Sequence, residues 1–169
     1  MTVDQKLKDL KAFIAGFKRA AVAFSGGVDS SFLLKVVFDV LGEDSLAITV
    51  DSMFIPRQEI SQAAELVRIV GAPYEIIRVV SFDEVVLGNS PERCYYCKRS
   101  VFGLLLDTAG AHGIDVLFDG SNLDDLDDFR PGMKALKELG VRSPLLECGF
   151  SKSDIREASR MLGLPTWDK

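Results

Sequence analysis

The sequence predicts an α/β protein, a three-layer, doubly wound parallel sheet of about five strands with helices on both faces. Two observations carry this. Apolar runs of strand length alternate along the chain with longer stretches of helical period, the pattern of consecutive β-α-β units. Polar clusters also follow three of those runs, which in an open parallel sheet gathers them at the carboxyl edge where ligands bind.

Each element follows from its own residues. Val3, Leu7, Leu10, Phe13, Ile14 and Phe17 stand at helical spacing, so residues 3–17 form an amphipathic helix. Residues 20–24 are the first buried strand. Residues 31–41 form the second helix, closed by Gly42. Residues 45–50 form the second strand, with Asp51-Ser52-Met53-Phe54 at its carboxyl end. Pro56 suits the first turn of a helix that runs to Val70 and stops at Gly71. The third strand spans 74–80, and residues 82–91 hold a short helical turn and a loop. A helical pattern then covers 92–112 and closes at Gly113. His112, the only histidine, sits in its last turn, a place for a partner to the helix dipole rather than for catalysis. The fourth strand spans 116–118, a short helix spans 132–139, and a fifth short strand lies within 141–146. Ser151, with Asp154 in capping-box spacing, opens a last helix that ends at Gly163. Residues 1–163 thus make one domain, and 164–169, which carry the single tryptophan, read as the start of a further segment.

Composition narrows the setting. The 169 residues are 47% hydrophobic and 27% charged, as in an ordinary globular domain. No uncharged apolar run approaches the ~20 residues that span a bilayer. Residues 1–18 contain no signal-peptide core. The expected location is therefore the cytoplasm, with no membrane contact. Twenty basic against 25 acidic residues give a net charge of −5, with no basic patch, which argues against nucleic acid as a partner. Three cysteines, an odd number, argue against a disulfide framework.

The chain is organised around Ser25-Gly26-Gly27-Val28-Asp29-Ser30, between the first strand and the second helix. Glycines let backbone N–H groups approach a ligand, and the helix behind adds unpaired amides and the positive end of its dipole. Ser25 and Ser30 add hydroxyls, and Asp29 a carboxylate able to hold a metal. The plainer reading makes Asp29 or Ser30 an N-cap and the glycines an ordinary turn. Two serines and an aspartate at this spacing favour a phosphate site. Asp51 and Ser52, and Asp119-Gly120-Ser121-Asn122, fall on the same edge.

Two further stretches carry chemistry. Cys94-Tyr95-Tyr96-Cys97-Lys98 is a lone CxxC; it is a ligand or sulfur-handling pair, or else a buried cysteine beside an incidental one. Tetrahedral zinc would need two more ligands, and Cys148 and His112 lack the spacing. The run from Asp119 to Gly132 is rich in aspartates and includes Arg130. It is either a solvated capping face or a metal and acceptor site, with Arg130 for an anionic group.

The hexapeptide resembles the PP-loop of the ATP pyrophosphatases, which make AMP and pyrophosphate on an adenine nucleotide alpha hydrolase-like, Rossmann-like fold. The order SGGVDSS, VDS, RCYYCK, DGSNLDDLDDFRPG, VRSPL, SKSDIR and LGLPTWDK resembles the LarE family of ATP-dependent sulfur transferases. That resemblance implies ATP and magnesium as cofactors, with Asp29 and Asp119 as the metal candidates and Asp29, Asp119 and Arg130 in the catalytic role. Residues 25–30 with Asp51, Ser52, Ser121 and Asn122 would bind nucleotide. It further implies a pyridinium dicarboxylate mononucleotide as substrate, adenylated and then converted to a thiocarboxylate, in assembly of a nickel-pincer cofactor. The sulfur comes either from a sacrificed cysteine or from a four-iron four-sulfur cluster, for which Cys94 and Cys97 match two ligands. Cys148 matches no family ligand and reads as a small buried hydrophobe. A homo-oligomer is compatible with the sequence. An ammonia-dependent ligase resembling NAD synthetase or GMP synthetase would not need the CxxC, and the acidic balance argues against a tRNA thiolase.

Overall fold

The computed structural model describes residues 1–79, 93–126 and 130–169, and leaves aside the side chains of residues 93, 94, 130 and 131. The elements in chain order are α1 (Val3–Ala15), β1 (Ala20–Ala23), α2 (Val28–Leu41), β2 (Ser45–Ser52), α3 (Arg57–Val70) and β3 (Tyr74–Val79). They continue with α4 (Arg93–Ala111), β4 (Leu117–Phe118), α5 (Arg130–Glu138), α6 (Pro144–Glu147) and α7 (Lys152–Met161). Among the described residues the sheet has four parallel strands in the order β3-β2-β1-β4. The chain steps outward from β1 to β2 to β3, then returns to the other side of β1 for β4. The order reverses between β1 and β4, the place where open α/β sheets bind ligands.

Strand alternation sorts the core into two layers. Ala20, Val22 and Ala47 face one side, against α1, α2, α3 and α7; Phe32, Leu34, Leu66 and Ile155 are buried there. Ala21, Leu46, Ile48 and Leu117 face the other side, against Phe102 and Leu105 of α4 and Leu136 of α5. The expected three layers are present. No helix among the described residues is long and apolar enough to cross a membrane.

The main departure is the fifth strand. Residues 141–146 supply only an isolated bridge between Phe118 and Arg142. Pro144 has no N–H to extend a ladder, and it sits instead at the first turn of α6, behind Ser143. Cys148 therefore closes a helix, not a strand; it is half-buried against the core. α2 begins at Val28, three residues before the expected start, which places Asp29 and Ser30 inside its first turn rather than at its N-cap. β2 runs on through Asp51 and Ser52. α1 stops at Ala15, short of Phe17, and α5 starts at Arg130 rather than 132. The capping box of α7 is present: Ser151 Oγ accepts from the Asp154 amide and the Asp154 carboxylate from the Ser151 amide. His112 is exposed and its ring meets Glu75, while Arg19 serves its carbonyl at 2.6 Å. Residues 164–169 pack on α7, with Leu164 and Thr166 buried and Arg160 over the Trp167 ring. Expectations for residues 82–91 and for Asp127 and Asp128 fall outside the described residues.

Candidate nucleotide site

The turn after β1 is shaped by its two glycines in different ways. Gly26 has φ +85°, and a Cβ there would meet the Ala63 Cα of α3 at 3.2 Å. Gly27 is the N-cap of α2, extended at φ −76°, and offers no side-chain cap. The first amides of α2 therefore have no side-chain cap from Gly27, next to the positive helix end. Serine hydroxyls prefold the loop: Ser30 Oγ accepts from the Ser25 amide at 3.1 Å, and Ser25 Oγ accepts from the Gly27 amide at 3.4 Å. Val28 turns into the core.

A cavity of about 400 Å³ opens over this turn. Its polar lining comes from Ser25, Asp29, Ser30, Glu59, Lys98, Asp119, Ser121 and Asp125. Phe24, Ile48, Ile60, Phe102, Leu105 and Met133 are among its apolar lining residues. The mixture offers polar partners for phosphates and apolar ones for a flat ring.

The carboxylates differ in their surroundings. Asp29 Oδ2 accepts from Lys152 Nζ at 2.6 Å, and its Oδ1 is buried with no partner. Burial pushes its carboxyl above the ordinary value, against the pull of Lys152. Asp119 is 5% exposed, with one oxygen taking the Ser121 hydroxyl and the other the Ser143 hydroxyl. Burial raises it as well, opposed by those two hydroxyls and by Lys98. Gly120 is pressed on the start of α2, where a Cβ would lie 3.2 Å from the Ser30 nitrogen.

The structure thus joins Ser25, Asp29, Ser30, Asp119 and Ser121 around one cavity, flanked by Gly26 and Gly27. It does not bring Asp51, Ser52 or Asn122 to the lining. Asp51 is held bidentately by Arg57, with Arg78 at 4.0 Å, and the Arg57 hydrogen bonds hold its carboxyl below the ordinary range. Ser52 Oγ accepts from the Phe54 amide at 3.3 Å. Asn122 is buried, its oxygen taking the Asp124 amide at 2.9 Å. The Arg130 and Cys94 side chains lie outside the described residues. Cys97 is a free, half-buried thiol one position before Lys98. No group of three metal-binding side chains occurs among the described residues. Sequence reasoning missed Lys152, Ser143 and the lining role of Lys98; the first two stand in the SKSDIR and VRSPL motifs, the only signal that could have raised them.

No family model matches the chain. It is 40% identical over 168 residues to an uncharacterized protein of Synechocystis sp., covering 99% of this chain and 63% of that one. It is 36% identical over 171 residues to the pyridinium-3,5-bisthiocarboxylic acid mononucleotide synthase of Lactiplantibacillus plantarum, covering 99% and 62%. The chain thus spans less than two thirds of the length of these relatives. Among solved structures it resembles NMN synthetase from Francisella tularensis, with TM-score 0.76, 16% identity, and coverage of 100% of this chain and 75% of that one; this likeness speaks to the fold.

Proposed function

We propose that the chain is a LarE-type PP-loop ATP pyrophosphatase, a reading supported by its 36% identity to the L. plantarum synthase, and that it adenylates a carboxylate of a small nucleotide so that sulfur can replace AMP. The observation that carries this is the uncapped turn at Gly27, whose neighbours Ser25, Asp29 and Ser30 line a cavity that also has apolar walls. An ATP would lay its pyrophosphate on the turn and its adenine against the apolar side chains.

In the first step a substrate carboxylate oxygen attacks the α-phosphorus. The bond to the bridging oxygen breaks, and pyrophosphate leaves with the electron pair. The amides at the start of α2 are aimed at the charge that grows there, and preorganised donors of this kind lower the barrier. In the second step a hydrosulfide-level nucleophile adds to the acyl carbon and expels AMP, leaving a thiocarboxylate; a cysteine thiolate would instead give a thioester, whose S–Cβ bond must then break by loss of the α-proton to leave the thiocarboxylate and dehydroalanine.

Magnesium commonly binds through one or two carboxylates together with phosphate oxygens. Asp29 fits, because its Oδ1 is buried and unpartnered. Asp119 gives both oxygens to serines and is better suited to hold the 119–122 loop in place. When bound, the ion supplies charge neutralisation on the pyrophosphate. Arg130 is the proposed anchor for the acceptor's anionic group, and Cys94, one helical turn before the cavity-lining Lys98, with Cys97, its immediate neighbour, the proposed sulfur-side pair. Two cysteines supply half of a four-cysteine cluster site. The name of the L. plantarum relative supports a pyridinium dicarboxylate mononucleotide as acceptor, and a place in nickel-pincer cofactor assembly is proposed on the motif resemblance alone.

Phosphorus NMR with ATP, magnesium and that acceptor tests the reading. AMP and pyrophosphate are expected, and ADP with phosphate would overturn it.

A further inference from the structure

The ammonium of Lys152 lies 2.6 Å from Asp29 Oδ2, across 123 residues of chain, and the chemistry above gives it no part. Its backbone is held firmly. Lys152 is the first residue of α7, behind the Ser151–Asp154 capping box, and Asp154 also takes Lys6 Nζ from α1 at 2.6 Å. The two side chains are 31% and 24% exposed, mostly withdrawn from water. Asp125 and Arg156 also act on Asp29 electrostatically, with opposite signs. Lys152 is therefore the direct counter-charge of Asp29, which among the described residues is the cavity carboxylate that keeps a buried, unpartnered oxygen.

We propose that Lys152 is a stand-in cation: it neutralises Asp29 before nucleotide arrives, then yields that carboxylate to magnesium and turns onto the pyrophosphate oxygens. This rests on the reading of residues 25–30 as the pyrophosphate site. A lysine suits the exchange, since its charge rides on a flexible four-carbon stem. The paired Asp29 offers little attraction to a free dication, whereas metal and anion arriving together satisfy both members of the pair. The site thereby selects the metal–nucleotide complex over the bare metal.

The test is calorimetric titration of the full-length protein with Mg²⁺ alone and with pyrophosphate plus Mg²⁺, for wild type, Lys152→Gln, Lys152→Arg and Ser151→Ala. An opposite charge at this range changes the affinity of a carboxylate for a competing cation by about tenfold or more. Lys152→Gln is therefore expected to bind Mg²⁺ alone about tenfold more tightly and Mg–pyrophosphate about tenfold more weakly. Lys152→Arg should keep the wild-type order. Ser151→Ala, which loosens the helix start and keeps the charge, should weaken both without inversion. If Lys152→Gln does not fold, Lys152→Met carries the same test. Should both affinities of the glutamine variant fall together, or neither move, Lys152 is only structural and the inference is wrong. If wild type binds no pyrophosphate even with Mg²⁺, the pyrophosphate-site reading itself fails.

Discussion

Gly120 touches Asp29: a Cβ at Gly120 would stand 3.2 Å from the Asp29 Cβ and equally close to the Ser30 nitrogen. The loop after β4 and the turn after β1 are thus in direct contact at the point where strand order reverses. Contacts this close are tighter than packed side chains normally make.

Gly120→Ala should push these two loops apart. Overpacking of this kind costs roughly 1–3 kcal/mol. We expect a lowered Tm with the fold kept, and ATP–magnesium affinity reduced about tenfold, a change equivalent to about 1.4 kcal/mol. Thermal unfolding with calorimetric titration of the same sample measures both, and an unchanged affinity would count against the contact.

The two glycines of the Ser25–Ser30 turn should separate stability from binding. Gly26 needs its positive φ and lies against Ala63, so Gly26→Ala should cost roughly 1–3 kcal/mol in denaturant unfolding. Gly27 has an ordinary φ, and the only heavy atom near a Cβ there is Ser25 Oγ at 3.6 Å. Gly27→Val should therefore leave the fold largely intact and abolish ATP binding, because the side chain stands over the helix amides. Equal affinity for ATP in wild type and Gly27→Val would refute this.

Asp119→Asn should change how stability depends on pH. Because burial raises the folded Asp119 above its ordinary value of 3.8, the native state holds a proton that the unfolded chain has already lost. Stability from this group is present below that value and falls as pH rises towards the folded pKa. The asparagine variant lacks this loss. Its stability relative to wild type should climb from about pH 4 upward, followed by denaturant midpoints across the pH range; a constant difference would contradict the assignment.

Much of the fold was legible because its signals are local. Apolar runs marked four strands, and glycines closed helices at Gly71 and Gly163 as expected. The start of α2 was misplaced because Val28, Asp29 and Ser30 are indifferent helix formers that resemble a turn; packing of Val28 into the core overrides them. The fifth strand looked right by its apolar residues, and Pro144 decided otherwise. In the candidate site, the Ser25–Ser30 turn was readable from its residue types. The fate of each carboxylate was not. Asp51 goes to Arg57 and Asp119 to Ser121 and Ser143, choices made by three-dimensional neighbours that spacing along the chain does not reveal.

The Lys6–Asp154 and Lys152–Asp29 pairs span 148 and 123 residues of sequence. Closing loops of that length is entropically costly and slow compared with forming neighbouring helices. During synthesis, β1 and α2 emerge early, yet Asp29 meets its counter-charge only once α7 has been made and has docked. The Lys152–Asp29 pair of the proposed nucleotide site is therefore expected to form only after α7 has docked.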